Sequence, residues 1–185
     1  MMLRKIWWTI ISAYILLVYA TLSVVSVMWE QIDGLLGGKG PVVVMLLVLL
    51  AAILVLVHMV FVKKEKGAKE YLLFLLFLWV YLALWKIAKM PAEKVHLIEY
   101  SILGVMVYNA LKIDIDSYKW KLYIFGGVFC IVIALIDEVI QGILPNRVFD
   151  FRDIFINVMS SLTALMVIRF NVLKEEPKSF TSQGD

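Results

Sequence analysis

Six long apolar runs separated by short polar breaks make up most of this chain: Ile6–Met28, Pro41–Val62, Tyr71–Ala88, Ala92–Leu111, Leu122–Gln141 and Ile154–Phe170. Their lengths approach the roughly 20 residues needed to cross the hydrocarbon core of a bilayer as a helix. The sixth is short and needs its amphipathic start at Asp150 to reach that length. The pattern predicts an all-α integral membrane protein with about six transmembrane helices. The breaks have their own chemistry. Glu30–Gly40 reads as a glycine-rich loop closed by Pro41, and Lys63–Glu70 as a charged turn. Pro91 breaks the helix before it, because proline donates no backbone hydrogen bond. Lys112–Lys121 reads as a polar loop, and the chain after Asn171 as a polar, disordered tail. Val18-Tyr19-Ala20 resembles a signal-peptide cleavage site. The apolar run continues past it, beyond the roughly 7–15 residues of a signal-peptide core, so a retained first helix is expected. His58, near the end of the second run, is expected to be a polar interface residue rather than a ligand.

Composition agrees with the pattern. Of 185 residues 63% are apolar, against roughly 45–50% in soluble domains, so lipid must be the solvent for most of the chain. A net charge of +3 is too small to suggest a nucleic-acid partner. The one cysteine, Cys130, lies inside an apolar run, which excludes an internal disulfide and a cysteine-based metal site. The placement of Lys and Arg carries more than their sum. With the N-terminus inside, the cytoplasmic set is Arg4, Lys5, Lys63, Lys64, Lys66, Lys69, Lys112, Lys119, Lys121, Arg169, Lys174 and Lys178. The outer set is Lys39, Lys86, Lys89, Lys94, Arg147 and Arg152. That imbalance, 12 against 6, places both termini in the cytoplasm.

This orientation brings three polar segments to one boundary. The fourth run begins with Glu93, Lys94, His96, Glu99 and Tyr100. The fifth ends with Asp137, Glu138 and Gln141, and the segment into the sixth carries Arg147, Asp150, Arg152, Asp153 and Asn157. Residues three and four apart share a helix face, so Glu93, His96, Glu99 and Tyr100 form one stripe. Asp137 or Glu138 pairs with Gln141 in the same way, and Asp150, Asp153 and Asn157 continue toward Ser160 and Ser161. A charge at the bilayer centre costs roughly 2.5–3.5 kcal/mol, less near the interface, so such groups face protein or water and pair there. Arg147 and Arg152 are the natural partners of Asp150, Asp153, Asp137 or Glu138. One reading is structural: the charges tie three helix ends together. Another is catalytic: His96, Glu99, Asp137 and Glu138 supply acid–base groups. A third is binding, with Glu93, Lys94, Tyr100, Gln141, Arg147, Asp150, Asp153 and Asn157 holding a ligand. Arg147 with Lys94 and His96 suits a phosphate or carboxylate, hence a lipid-linked or other anionic partner. No metalloprotease helix motif, zinc-type Cys/His spacing, P-loop or nucleophile elbow occurs, so no motif calls for a metal or cofactor.

At these residues the chain resembles the VanZ-like family of bacterial membrane proteins. The resemblance lies in Glu93-Lys94-Val95-His96-Leu97-Ile98-Glu99-Tyr100 with Leu103-Gly104. It continues through Asp137-Glu138 and Gln141, Pro145 and Arg147, then Asp150, Asp153 and Asn157. Together these cover roughly 91–167. The commoner family pattern has Lys three before the His, where Glu93 stands here. After the Asn the family usually has Gly for close packing. Ser160 and Ser161 in that place predict a wider or hydrogen-bonded crossing. The resemblance implies a bacterial inner-membrane protein of the cell envelope, and the family is named for a member linked to teicoplanin resistance. It divides the chain into motif-free helices over 1–90, a motif-bearing region over 91–170 and a cytoplasmic tail over 171–185. It supports engagement of a lipid-linked envelope component or a glycopeptide-type ligand. An enzyme acting on a lipid or polyprenyl phosphate, and a purely structural role, are the alternatives.

Overall fold

A computed structural model describes residues 2–65, 67–115, 119–145 and 147–172, and among these residues all regular structure is helical. The elements are α1 (Met2–Leu35), α2 (Gly40–Val57), α3 (Ala68–Ile87), α4 (Pro91–Asp114), α5 (Lys119–Ile143) and α6 (Phe151–Val167). π-Helical turns extend α2 over His58–Val62 and α6 over Ile168–Val172. Five helices are long and apolar enough to cross a membrane: Met2–Val24, Gly40–Val62, Ala68–Ile87, Trp120–Ile143 and Phe151–Asn171. The chain is thus a multi-helix membrane protein. α4 is long enough, since 24 residues span about 36 Å, but its first turns are too polar for it to be counted with them.

The polar breaks are shorter than their composition predicts. α1 runs through Glu30–Gly34 and stops only where Gly37 and Gly38 take positive φ of 61° and 76°. That left-handed backbone is open to glycine and costly for other residues. The expected loop over Glu30–Gly40 is therefore a tight turn, and Gly40 N–H donates to Asp33 Oδ1 at 2.7 Å. Likewise α4 continues to Asp114 and α5 begins at Lys119, so both ends of the expected Lys112–Lys121 loop are helical, and residues 116–118 lie outside the described residues. Helical hydrogen bonds are satisfied internally, so a polar end extends past the apolar run at little cost, and Lys112 complements the helix dipole. The tail from 173 onward lies outside the described residues.

α4 is the inner helix. It packs against α6, α1 and α5, and Tyr100, Leu103, Val107 and Ala110 form a core with Ile11, Cys130, Ala134 and Leu165. Cys130 is fully buried there. By contrast α2 exposes Leu46, Leu50, Ile53 and Leu54, which suits lipid as its neighbour. At the crossing of α4 and α6 a Cβ on Gly104 would strike the Ser161 backbone carbonyl. Of the wider or hydrogen-bonded crossing expected from Ser160 and Ser161, the wider form is not what is seen. Both serines donate back to their own helix, to the carbonyls of Ile156 at 2.7 Å and Asn157 at 3.0 Å, and the close approach is supplied by Gly104 from the other side. At the far end of the bundle, Lys63 Nζ donates to the Phe170 carbonyl and Asn171 Nδ2 to the Glu70 carbonyl, fastening the ends of α2, α3 and α6.

Gly104→Ala should lower the thermal midpoint in detergent by about 3–10 °C, because the struck atom is backbone and the cost is that of overpacking, ~1–3 kcal/mol. This loss should outweigh the helix-propensity gain of alanine. Gly34→Ala, with nothing within 4 Å of its Cβ, should leave the midpoint unchanged or raise it.

Candidate functional site

Three helix ends converge, as their polar faces require. α4 begins with Met90 extended and Pro91 in its first turn, and Glu93 reaches back so that Oε2 accepts from Lys89 N–H at 2.6 Å. α6 begins at Asp150, whose Oδ1 accepts from Arg152 N–H at 2.8 Å as an N-cap. Between them α5 ends in Asp137, Glu138 and Gln141, all essentially buried.

The contacts make one network. Arg152 Nη2 lies 2.6 Å from Glu93 Oε1 and 3.1 Å from Asp150 Oδ2, joining α4 to α6. Its Nε is 4.0 Å from Asp153 Oδ1, an ion pair without a hydrogen bond. Glu138 Oε1 accepts from Asp150 N–H at 2.6 Å, fixing the end of α5 to the start of α6. Tyr100 Oη donates to Asp137 Oδ2 at 2.8 Å, and Asn157 Nδ2 approaches the same oxygen at 3.5 Å. His96 Nδ1 and Glu99 Oε2 are 2.8 Å apart, so the carboxylate orients the ring. The His96 ring also meets the Tyr100 ring edge-on, with centroids 6.2 Å apart. From outside, Tyr14 of α1 donates to the Glu99 carbonyl at 2.9 Å.

Sequence spacing anticipated the His96–Glu99 pair and the shared stripe of Glu93, His96 and Tyr100. It missed the partner of Arg152: Glu93, 59 positions away, rather than only the nearby aspartates. The signal was present, since Glu93 is an acid in the first turn of α4 on the side of His96. Arg147 forms no ion pair among the described residues, although its Nε is buried. Lys94 stands apart from the cluster. Its ammonium lies 4.9 Å from the centroid of the Trp85 ring, on the face of α4 away from His96.

Many polar atoms remain unused. His96 Nε2, Asp137 Oδ1, Glu138 Oε2, Gln141 Nε2, Arg147 Nε, Arg152 Nε, Asp153 Oδ1 and Asn157 Oδ1 are buried without a hydrogen-bond partner among the described residues. Most buried polar groups in proteins are hydrogen-bonded, and an unmet one costs about 1–3 kcal/mol. Gathered at one end of the bundle, these atoms can be met by water or by a polar group from outside the chain. The donors are Arg and Gln atoms, the acceptors carboxylate and amide oxygens, and His96 Nε2 serves in either sense. Among the described residues no three His, Cys, Asp or Glu side chains converge closely enough to hold a metal ion.

Fold and site together define a multi-pass helical membrane protein with a buried carboxylate, histidine and arginine cluster at one end of the bundle. The chain belongs to the VanZ/LLP1 family, whose model matches residues 10–173. That match takes in the N-terminal helices as well as the region of the polar motifs. Comparisons with curated proteins and with solved structures gave no match.

Arg152→Gln should destabilise the protein by about 2–3 kcal/mol in detergent unfolding, because Glu93 would stay buried and unpaired. The value lies below the ~3–5 kcal/mol of a fully buried pair because the Arg152 side chain is 28% exposed. Adding Glu93→Gln should restore part of the loss, and a double-mutant cycle measures the coupling.

Proposed function

We propose that this protein is a six-span protein of the bacterial cytoplasmic membrane with both termini inside, and that its polar cluster opens to the outer face. There it engages a lipid-linked envelope component or a glycopeptide-type ligand. The observation that carries the reading is the set of buried, unpartnered atoms on His96, Asp137, Glu138, Gln141, Arg147, Arg152, Asp153 and Asn157. Such atoms stabilise a bound polar ligand far more than they stabilise an empty fold. The basic residues support the sidedness, with 12 on the cytoplasmic side and 6 on the other. α4 serves as the sixth crossing: its polar face is covered by α1, α5 and α6, so its charges need not meet lipid. Family membership supports an envelope role, and resistance to a glycopeptide antibiotic is the cellular effect that such binding would produce.

A second reading rests on one contact. Glu99 holds His96 Nδ1 at 2.8 Å, which leaves Nε2 as the reactive nitrogen. An imidazole so oriented suits general acid–base work on a lipid or polyprenyl-phosphate ester, with Asp137 and Glu138 nearby.

Thermal denaturation of the purified protein with lipid-linked envelope precursors tests both readings. The wild type should gain about 5–10 °C at a hundredfold excess of ligand over Kd. Glu138→Gln and His96→Ala should stay folded and lose that gain. Product formation that His96→Ala abolishes would select the enzyme. No gain with any precursor, together with unstable variants, would reduce the cluster to a structural tie. Arg147→Lys keeps the charge and loses the planar fork, so a lost gain there identifies an oxyanion as the bound group.

A further inference from the structure

A second site lies on the opposite face of α4. An open-sided apolar cavity of about 560 Å³ separates α2 from α3, α4 and α6. That volume falls within the range of built small-molecule sites, roughly 300–1,000 Å³. It exists because α2 stands off: only Gly40 and Val44 of that helix are buried, and Ala51 and Ala52 present small side chains to the cavity. Its polar wall groups are already used. Tyr81 Oη and Ser101 Oγ are 2.8 Å apart, and Ser101 Oγ also donates to the Leu97 carbonyl. The wall therefore asks for hydrocarbon and offers a polar ligand nothing.

The rim adds charge. Lys94 is one turn before Ile98 on the cavity face of α4, and Trp85 is one turn beyond Tyr81 on α3. The Lys94 ammonium lies 4.9 Å from the Trp85 ring centroid and forms no ion pair with a carboxylate among the described residues. A cation on an aromatic platform one helical turn above an apolar cleft matches an amphiphile whose anionic head sits directly over its tail.

We propose that this cleft binds an anionic phospholipid, with one acyl chain between α2 and α4 and its phosphate at Lys94 and Trp85. This site is separate from the polar cluster, because the faces of α4 that carry His96 and Ile98 point apart. The lipid fills the gap that α2 leaves and fastens α2 to the bundle.

The full chain in a neutral detergent is titrated with phosphatidylglycerol, phosphatidylcholine or glycerol phosphate, and the thermal midpoint is followed. Phosphatidylglycerol should raise the midpoint at several-fold lower concentration than phosphatidylcholine, and glycerol phosphate should have no effect. Lys94→Gln should weaken the phosphatidylglycerol response about fivefold, the worth of one lysine near an anionic lipid, and leave phosphatidylcholine unchanged. Ala52→Trp fills the cleft and should abolish the response to both lipids. If Ala52→Trp does not fold, photolabelling of the wild type by phosphatidylglycerol with a reactive acyl chain replaces it, and labels should fall on α2 and α4. Equal responses to the two lipids, an unchanged response in Lys94→Gln, retained response in Ala52→Trp, or labels spread evenly over the helices would each overturn the proposal.

Discussion

A polar helix inside a membrane has to be wrapped, and that constraint organises this bundle. α4 carries Glu93, His96 and Glu99 in its first turns. Exposed to lipid, each charge would cost kilocalories. The remedy is positional: α1, α5 and α6 surround α4, and the acids of α5 and α6 that meet it bring their own cations and donors. Arg152 bridges Glu93 and Asp150, and Tyr100 reaches Asp137. Close wrapping in turn demands a small residue where the two most intimate helices cross, and Gly104 against the Ser161 carbonyl supplies it. Of the three helices without a polar motif, α1 joins this wrapping and α2 and α3 stay further out.

The network is only half closed, and the distribution of its closed bonds is informative. Bonds that fix helix ends are short: Glu138 to the Asp150 N–H, Glu93 to the Lys89 N–H, Asp150 to the Arg152 N–H. Each of these carboxylates spends an oxygen on backbone. The unmet atoms belong largely to the side chains deepest in the cluster, such as Asp137, Gln141 and Asn157. A structural tie would be expected to satisfy its deepest groups first, since an unmet polar group costs most where water is scarcest. Here even the deepest groups keep atoms open to water or to the ligand proposed above.

Much of this was legible in the sequence. The apolar runs locate the body of each helix, because the demand of the bilayer for about 20 apolar residues is strict. The polar faces were legible too, since a spacing of three or four residues places His96 beside Glu99 whatever surrounds them. Helix ends were not. The glycine-rich and charged breaks read as loops, yet α1 continues through Gly34 and α4 through Asp114, because polar residues outside the membrane tolerate a helix as well as a coil. Long-range pairing was not legible either. Nothing local says that Arg152 prefers Glu93 over Asp153, a choice set by how α4 and α6 cross. Gly104 stood in the motif without a packing role assigned to it, while the serines opposite it suggested a wider or hydrogen-bonded crossing.

The two faces of α4 show how one helix separates two chemistries. On one side hydrogen-bonding groups outnumber their partners, and on the other the polar wall groups Tyr81 and Ser101 bond each other and leave Lys94 over the Trp85 ring as the charge at the rim. Such asymmetry would be lost if α4 rotated by even one residue, about 100° of turn, since Lys94 would move into the surroundings of Glu93 and Glu93 out of reach of them. The Glu93–Arg152 pair and the Gly104–Ser161 contact oppose that rotation at two heights along the helix. Registration of α4 is therefore the property that both faces share, and the wrapping that shelters its charges is also what holds them in register.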